Sequence, residues 1–192
     1  MYKAKKYDDL LGLDGFSNGL LKDHFTLYEG YVANTNKIAD ILADKMKSGG
    51  VGTSEYSELK RRFGWEFNGM RLHEYYFDNL TKSATPLDPQ SKLAKKIIES
   101  FDSLEQFEQD LKSTGAMRGI GWVVLAYDKD AGKLFNTWIS EHDGGHLAGA
   151  TPLLVMDVFE HAFIADYGLK RVEYIENFWN AIAWRKVEAR LK

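Results

Sequence analysis

The chain of 192 residues has no cysteine. That excludes disulfides, thiolate nucleophiles, cysteine-type zinc sites and iron–sulfur clusters together, and it fits the reducing cytoplasm. A basic excess is missing as well. The 25 Lys and Arg are outnumbered by 28 Asp and Glu, a formal net charge of -3, which argues against a nucleic-acid partner. No apolar run approaches the roughly 20 residues that a membrane helix needs, so no membrane partner is expected. The opening MYKAKKYDDLLG is basic but lacks the apolar segment of a secretory signal. Proline is scarce, with three in the chain. What is present is a full complement of core-forming side chains. Hydrophobic residues make up 44%, with 11 Phe, 10 Tyr and 5 Trp, which excludes a disordered chain. Without cysteine, any bound metal must be held by His, Asp and Glu.

The apolar spacing divides the chain in two. Ser17 caps a helix expected to run to about Ser48, with Leu20, Leu21, Phe25, Tyr28, Tyr31, Val32, Ile38 and Leu42 near helical period. The glycine-rich residues 48–52 break it. A second helix is expected from Thr53 or Ser54 to Leu80, antiparallel to the first because the connection is short. Residues 81–90 hold two of the three prolines and form the boundary between expected domains at 1–84 and 85–192. Beyond it come two short helices, the second opened by a capping box at Ser103 and Gln106. The β-branched and aromatic residues 121–127 and 133–140 read as strands joined by turn chemistry. A polar loop at 141–151 and a third strand at 152–158 follow. Two helical stretches close the chain, one ending near Asp166 and one from about Arg171 to Leu191.

The five histidines are His24, His73, His142, His146 and His161. Scattered histidines are ordinarily surface residues or satisfied core residues. Three of these have informative neighbours. Asp157 ends the apolar run Leu153-Leu154-Val155-Met156, where a carboxylate is costly unless it is paired or metal-bound. His161 follows four residues later, so a helix beginning near Asp157 places both on one face. Imidazole plus carboxylate suits Fe, Mn or Zn. The alternative is a helix-capping Asp with a His one turn along, and spacing alone does not choose. His73 lies on the stripe of Phe67, Met70 and Phe77, and His24 on the apolar side of the first helix. Inward ligands on facing helices can meet at one site. His142 and His146 sit in the loop EHDGGHLAG, where a packing role for His146 is the simpler expectation.

Several of these segments resemble one family, the iron/manganese superoxide dismutases. Residues 157–163, DVFEHAF, resemble the family's D-x-W-E-H-A-Y signature. Tyr167, Arg171, Tyr174, Trp179, Asn180 and Trp184 follow at the family's spacings. HEYYFDNL from His73 resembles H-x-x-(F/Y)-(W/F)-x-N-L, GIGW ending at Trp122 resembles G-S-G-W, and YVANTNK from Tyr31 resembles Y-V-x-N-L-N-K. The likeness covers about residues 17 to 190.

The resemblance implies an α+β fold: a long N-terminal antiparallel helical hairpin, then an α/β domain with a three-stranded antiparallel sheet and surrounding helices. It implies one Fe or Mn ion between the two, held by His24, His73, Asp157 and His161 with solvent as fifth ligand. It implies the conversion of two superoxide radicals to dioxygen and hydrogen peroxide by a homodimer or homotetramer, for which the lack of cysteine sets the expectation of a cytoplasmic location. Tyr31 is then the gateway residue bonding towards metal-bound solvent, with Trp122, Phe77, Phe159 and Tyr28 around the pocket. Glu160 and Tyr167 are implied at a dimer interface. Because superoxide is an anion and the chain is mildly acidic, a local cation should attract it. Arg171 is the first candidate and Lys22 a weaker one.

The chain departs from the family pattern at informative places. His24 to Tyr31 is seven residues rather than eight, which at roughly 100° per residue keeps Tyr31 within about 20° of His24's face. Tyr28 stands where the family has a histidine. Phe77 and Phe159 stand for tryptophans, and Leu72 for an asparagine. The outer-sphere glutamine of iron-type members corresponds to Gly69. That of manganese-type members corresponds to His142, a substitution also seen in iron and metal-interchangeable members, which inclines the expectation to iron. Two other classes stay open at this point: a zinc-dependent hydrolase using the same ligands, and a non-catalytic relative. The intact ligand set argues against the second.

Overall fold

The computed structural model describes residues 1–192. Two long helices dominate the first half: α1 (Asn18–Lys47) and α2 (Ser54–Asp78). Each starts at a hydroxyl cap. Ser17 Oγ accepts from Leu20 N at 3.1 Å and Thr53 Oγ1 from Tyr56 N at 3.2 Å, satisfying amides that have no partner within the helix. α1 is uninterrupted α-helix over all 30 residues, so the seven-residue step from His24 to Tyr31 is two regular turns. Its buried face carries Leu20, Leu21, His24, Tyr28, Tyr31, Val32, Thr35, Ile38 and Leu42. α2 packs against it, with His73, Tyr76 and Phe77 facing inward.

The second half begins with α3 (Lys92–Phe101) and α4 (Leu104–Gly115), capped by Ser91 and Ser103. Three strands follow: β1 (Gly121–Asp128), β2 (Lys133–Ser140) and β3 (Thr151–Asp157). They form one antiparallel sheet in the order β2-β1-β3. β1 is the central strand, which explains its unbroken apolar run: both of its faces are covered. The register sets Trp122 opposite Ile139 on one side and Asp157 on the other. Buried side chains of helices and sheet make one continuous core.

Two expectations need correction. α2 stops at Asp78, short of Leu80. The closing helix is not continuous from Arg171 to Leu191; it is broken into α6 (Arg171–Asn180) and α7 (Trp184–Glu188), after a short α5 (Ile164–Tyr167). Both breaks have one cause. The segment after α2 pairs with residues 181–183: Thr81 N donates to Ala181 O at 2.9 Å and Ala183 N to Asn79 O at 2.6 Å, and Leu80 faces Ile182. Inter-segment bonds replace the helical ones. Asn79, fully buried, reaches into the sheet and donates from Nδ2 to Val155 O at 2.8 Å. The end of α2 is thus tied directly to β3.

Gly121 opens β1 with φ +150, and a Cβ there would lie well inside contact distance of the Ile139 carbonyl oxygen. A side chain would have to spread the β1–β2 pair just beside Trp122. Gly121→Ala is expected to lower stability by about 3 kcal/mol or more, measured by denaturant unfolding. A loss below 1 kcal/mol would show that the strand pair yields at this point.

Candidate metal centre

Four side chains from four places in the fold converge on one point. His24 comes from α1, His73 from α2, Asp157 from the last position of β3, and His161 from a single 3-10 turn at Glu160–Ala162. The helix expected to carry Asp157 and His161 on one face is not there. Instead Asp157 Oδ1 accepts from Phe159 N at 2.8 Å and bends the chain just past the strand, which brings His161 back over the carboxylate. The i, i+4 proximity holds, through a turn rather than a helix.

The geometry is that of a closed donor set. His24 Nε2 and His161 Nε2 each lie 3.2 Å from Asp157 Oδ2, and His73 Nε2 lies 3.7 Å from it. One ligand atom from each residue falls within 4.8 Å of all the others. Donors about 2.0–2.2 Å from a shared ion stand at comparable mutual distances. His24, His73 and Asp157 are buried, whereas the His161 side chain is 28% exposed.

The protonation states suit an ion. Burial lowers the pKa of His24 and takes that of His73 well below the ordinary imidazole value. Both imidazoles are therefore neutral and able to donate a lone pair. Burial alone would raise the Asp157 carboxyl, but His161 and His24 hold it well below the usual carboxylate range. His73 Nδ1 donates to Gly69 O at 2.6 Å, which fixes the tautomer and turns the Nε2 lone pair towards the cluster. That Nε2 is buried with no hydrogen-bond partner. A buried acceptor without a partner is expensive, and an ion among these four donors removes the cost. The residues fit a single Fe or Mn ion.

Around this cluster runs a hydrogen-bonded chain. His142 is fully buried, and burial pushes its pKa down to about 4. Trp122 Nε1 lies 3.0 Å from His142 Nδ1. An indole can only donate, so Nδ1 accepts and the proton sits on Nε2. His142 Nε2–H then donates to Tyr31 Oη at 2.8 Å. Burial also raises the Tyr31 phenol, so it keeps its own hydrogen, for which the protein offers no acceptor. Phe159 stacks on His142 and on His161 at 4.8 and 5.1 Å. Trp122 stands edge-on to His73 at 4.9 Å, and Phe77 edge-on to His24 at 5.0 Å.

A family model for the C-terminal domain of iron/manganese superoxide dismutases matches residues 89–190. A protein named superoxide dismutase [Fe] from Aquifex pyrophilus is 37% identical over 185 residues, covering 94% of this chain and 86% of the relative. Another named superoxide dismutase [Fe], from Cupriavidus metallidurans, is 36% identical over 93% of this chain and 89% of its own length. Superoxide dismutase [Mn] 2 of Haloferax volcanii is 30% identical, with 87% of this chain and 82% of the relative covered. The chain belongs to the iron/manganese superoxide dismutase family.

Within that family frame the departures find physical explanations. Gly69 has no side chain because Tyr31 occupies its space: a Cβ there would lie 2.6 Å from Tyr31 Cδ1. The place of an outer-sphere glutamine on α2 is therefore closed, and His142 reaches the same region from the loop after β2. Tyr28 makes its hydrogen bonds away from Tyr31. Its hydroxyl donates to Glu74 Oε1 at 3.1 Å and accepts from Lys5 N at 3.0 Å, while its ring lies 6.4 Å from that of His73. Arg171 has its guanidinium bonded to the carbonyls of Met117 and Gly119, at 2.7 and 2.9 Å. Lys22 is exposed on α1. Tyr167 donates to the carbonyl of Gly15 within the same chain. His146 Nε2 donates to His142 O at 2.8 Å, holding the backbone of the buried histidine.

Trp65 is the neighbour that the sequence reading overlooked. Its ring lies 4.4 Å from His142 and 5.6 Å from Tyr31. The signal was the four-residue step from Trp65 to Gly69 to His73, which puts all three on one helical face.

Gly69→Ala tests the tight seam. The added methyl should push Tyr31 away from His142 and cut superoxide turnover without changing the ligand set. Unchanged turnover together with an unchanged position of Tyr31 in a crystal structure would contradict this.

Proposed function

We propose that this chain dismutes superoxide at one Fe or Mn ion held by His24, His73, Asp157 and His161, between the units 1–84 and 85–192. The observation that carries the proposal is the unpartnered His73 Nε2 among two further imidazoles and a buried carboxylate. Iron is the favoured metal, in keeping with relatives at 36–37% identity that are named for it. When bound, the ion supplies the +3/+2 couple that takes an electron from one superoxide and gives one to the next. The net change consumes two superoxide and two protons and yields dioxygen and hydrogen peroxide.

The chain's own residues do the rest. Aromatic rings of Tyr31, Trp122, Phe77 and Phe159 pack directly against the histidines of the cluster, and Trp65 packs against Tyr31 and His142. Tyr31 Oη, locked by the His142 donor, has its own hydrogen free to bond an oxygen species at the site. His142 fixes the orientation of that phenol, and Trp122 fixes His142. Arg171 is the cation proposed to draw the anion by its charge; together with Glu160, the residue before His161, it borders one surface cleft.

That cleft also supports a homodimer. Leu169 is 94% and Val172 59% exposed, and with Met117 and Ile164 they line it. Apolar side chains grouped in this way mark interfaces more often than free surface. Glu160 and the ring of Tyr167 belong to the same face in this reading. A chain without cysteine fits a cytoplasmic, antioxidant role. Neither the zinc hydrolase nor the non-catalytic relative gains support from any particular contact.

Metal analysis by mass spectrometry, with superoxide turnover on the same sample, tests the proposal. Near-stoichiometric Fe or Mn with high turnover is expected. Stoichiometric zinc, or no metal after iron and manganese loading, would overturn it. Sedimentation of Leu169→Asp tests the interface separately: the variant should shift from dimer to monomer, and an unshifted dimer would move the interface elsewhere.

A further inference from the structure

The loop that carries His142 contains an unexplained conformation. Glu141 has φ +50, a left-handed backbone in which any side chain is disfavoured and glycine is the least strained residue. Glycines stand at 144 and 145 in the same loop, yet this position holds glutamate. A strained residue that a simpler one could replace points to a use for its side chain. The structure shows that use. Trp65 Nε1–H on α2 donates to Glu141 Oε2 at 3.0 Å. The bond crosses from the helical hairpin to the loop after β2.

The same indole is held from the other side. The Arg62 guanidinium lies 3.8 Å over the Trp65 ring. Arg62 is in turn fixed to the buried carboxylate of Glu66, with both Nε and Nη2 at 2.7 Å from Oε1. Glu66, Arg62, Trp65 and Glu141 thus form a continuous line of contacts. It ends on the residue next to His142, with the Trp65 ring edge-on to the imidazole at 4.4 Å.

We infer that Trp65 and Glu141 form a latch that positions His142 against Tyr31, with Arg62 bracing the indole. Without the latch the loop keeps its bonds from His146 to His142 O and between Ser140 and Gly144, but nothing from α2 holds it. Tyr31 is carried by α1 and His142 by the loop, so their 2.8 Å bond depends on how the two units are held together. Trp65 and Glu141 are positioning residues that act through His142. The inference rests on the dismutase reading only for its turnover measurement.

Three variants of the full-length chain test it: Glu141→Gly, Trp65→Phe and Glu141→Gln. The direct readout is hydrogen exchange of the His142 Nε2–H by nitrogen-15 NMR in the metal-free chain. It is paired with kcat on the metal-loaded enzyme. Glu141→Gly relieves the backbone and should melt no lower than the parent. It should nevertheless speed exchange about ten-fold, comparable to losing one net hydrogen bond. It should also lower kcat about ten-fold, short of the roughly hundred-fold cost of an ångström's misplacement. Trp65→Phe keeps a ring and loses the donor, and should do the same. Glu141→Gln keeps an acceptor and should restore both values. If Glu141→Gly leaves exchange and kcat at parental values, the latch is overturned. If Glu141→Gly does not fold, Trp65→Phe decides by the same two measurements. A parent without turnover would count against the dismutase reading, and the exchange measurement would still decide the latch.

Discussion

A single carboxylate with no access to water organises this protein. Asp157 is fully buried at the end of the strand that borders β1, and an ionised group there must be surrounded by donors or an ion. Each neighbouring element contributes to that. α1 and α2 bring His24 and His73 to Oδ2, the 3-10 turn brings His161, and the backbone of Phe159 caps Oδ1. Tyr174 on α6 donates to the carbonyl of the same residue at 2.6 Å. The hairpin and the sheet therefore have a common anchor. Shifting either one relative to the other would strip the buried charge of His24 and His73.

The next layer is governed by volume. Two long helices can carry inward imidazoles only where their surfaces approach closely, and at Gly69 they approach so closely that a phenol ring lies on the backbone. That contact removes any polar side chain from α2 at this point. The hydrogen-bond donor to Tyr31 must then come from the other half of the molecule, and His142 supplies it. Trp122 settles the tautomer of His142 because indole nitrogen cannot accept. The direction of the chain from Trp122 through His142 to Tyr31 therefore follows from chemistry, without observed hydrogens.

Local signals fared well where they were short-range. Caps at Ser17 and Ser103, the turn at 128–132 and the apolar strand at 121–127 all depend on neighbours within a few residues, and all were readable. The breaks at Leu80 and at residues 181–183 were not, because each is caused by the other segment, about a hundred residues away in sequence. Helical periodicity continues through both places, and pairing between the two segments overrides it. The four-residue step to Gly69 and His73 marks the face on which Trp65 lies, but not what it does there. Its role comes from a loop residue 76 positions later, and no spacing within α2 marks that partner.

The sequence by itself determined the inward faces of His24 and His73, the order of helices and strands and the family, since these follow from residue chemistry, period and motif order. Only the tertiary structure decided that Asp157 and His161 meet across a turn, that a continuous α-helix absorbs the seven-residue step, and that His142 takes over beside a closed Gly69. Those outcomes depend on distances between elements, set by how side-chain volumes fill the space between helices and sheet, and no local pattern encodes such distances.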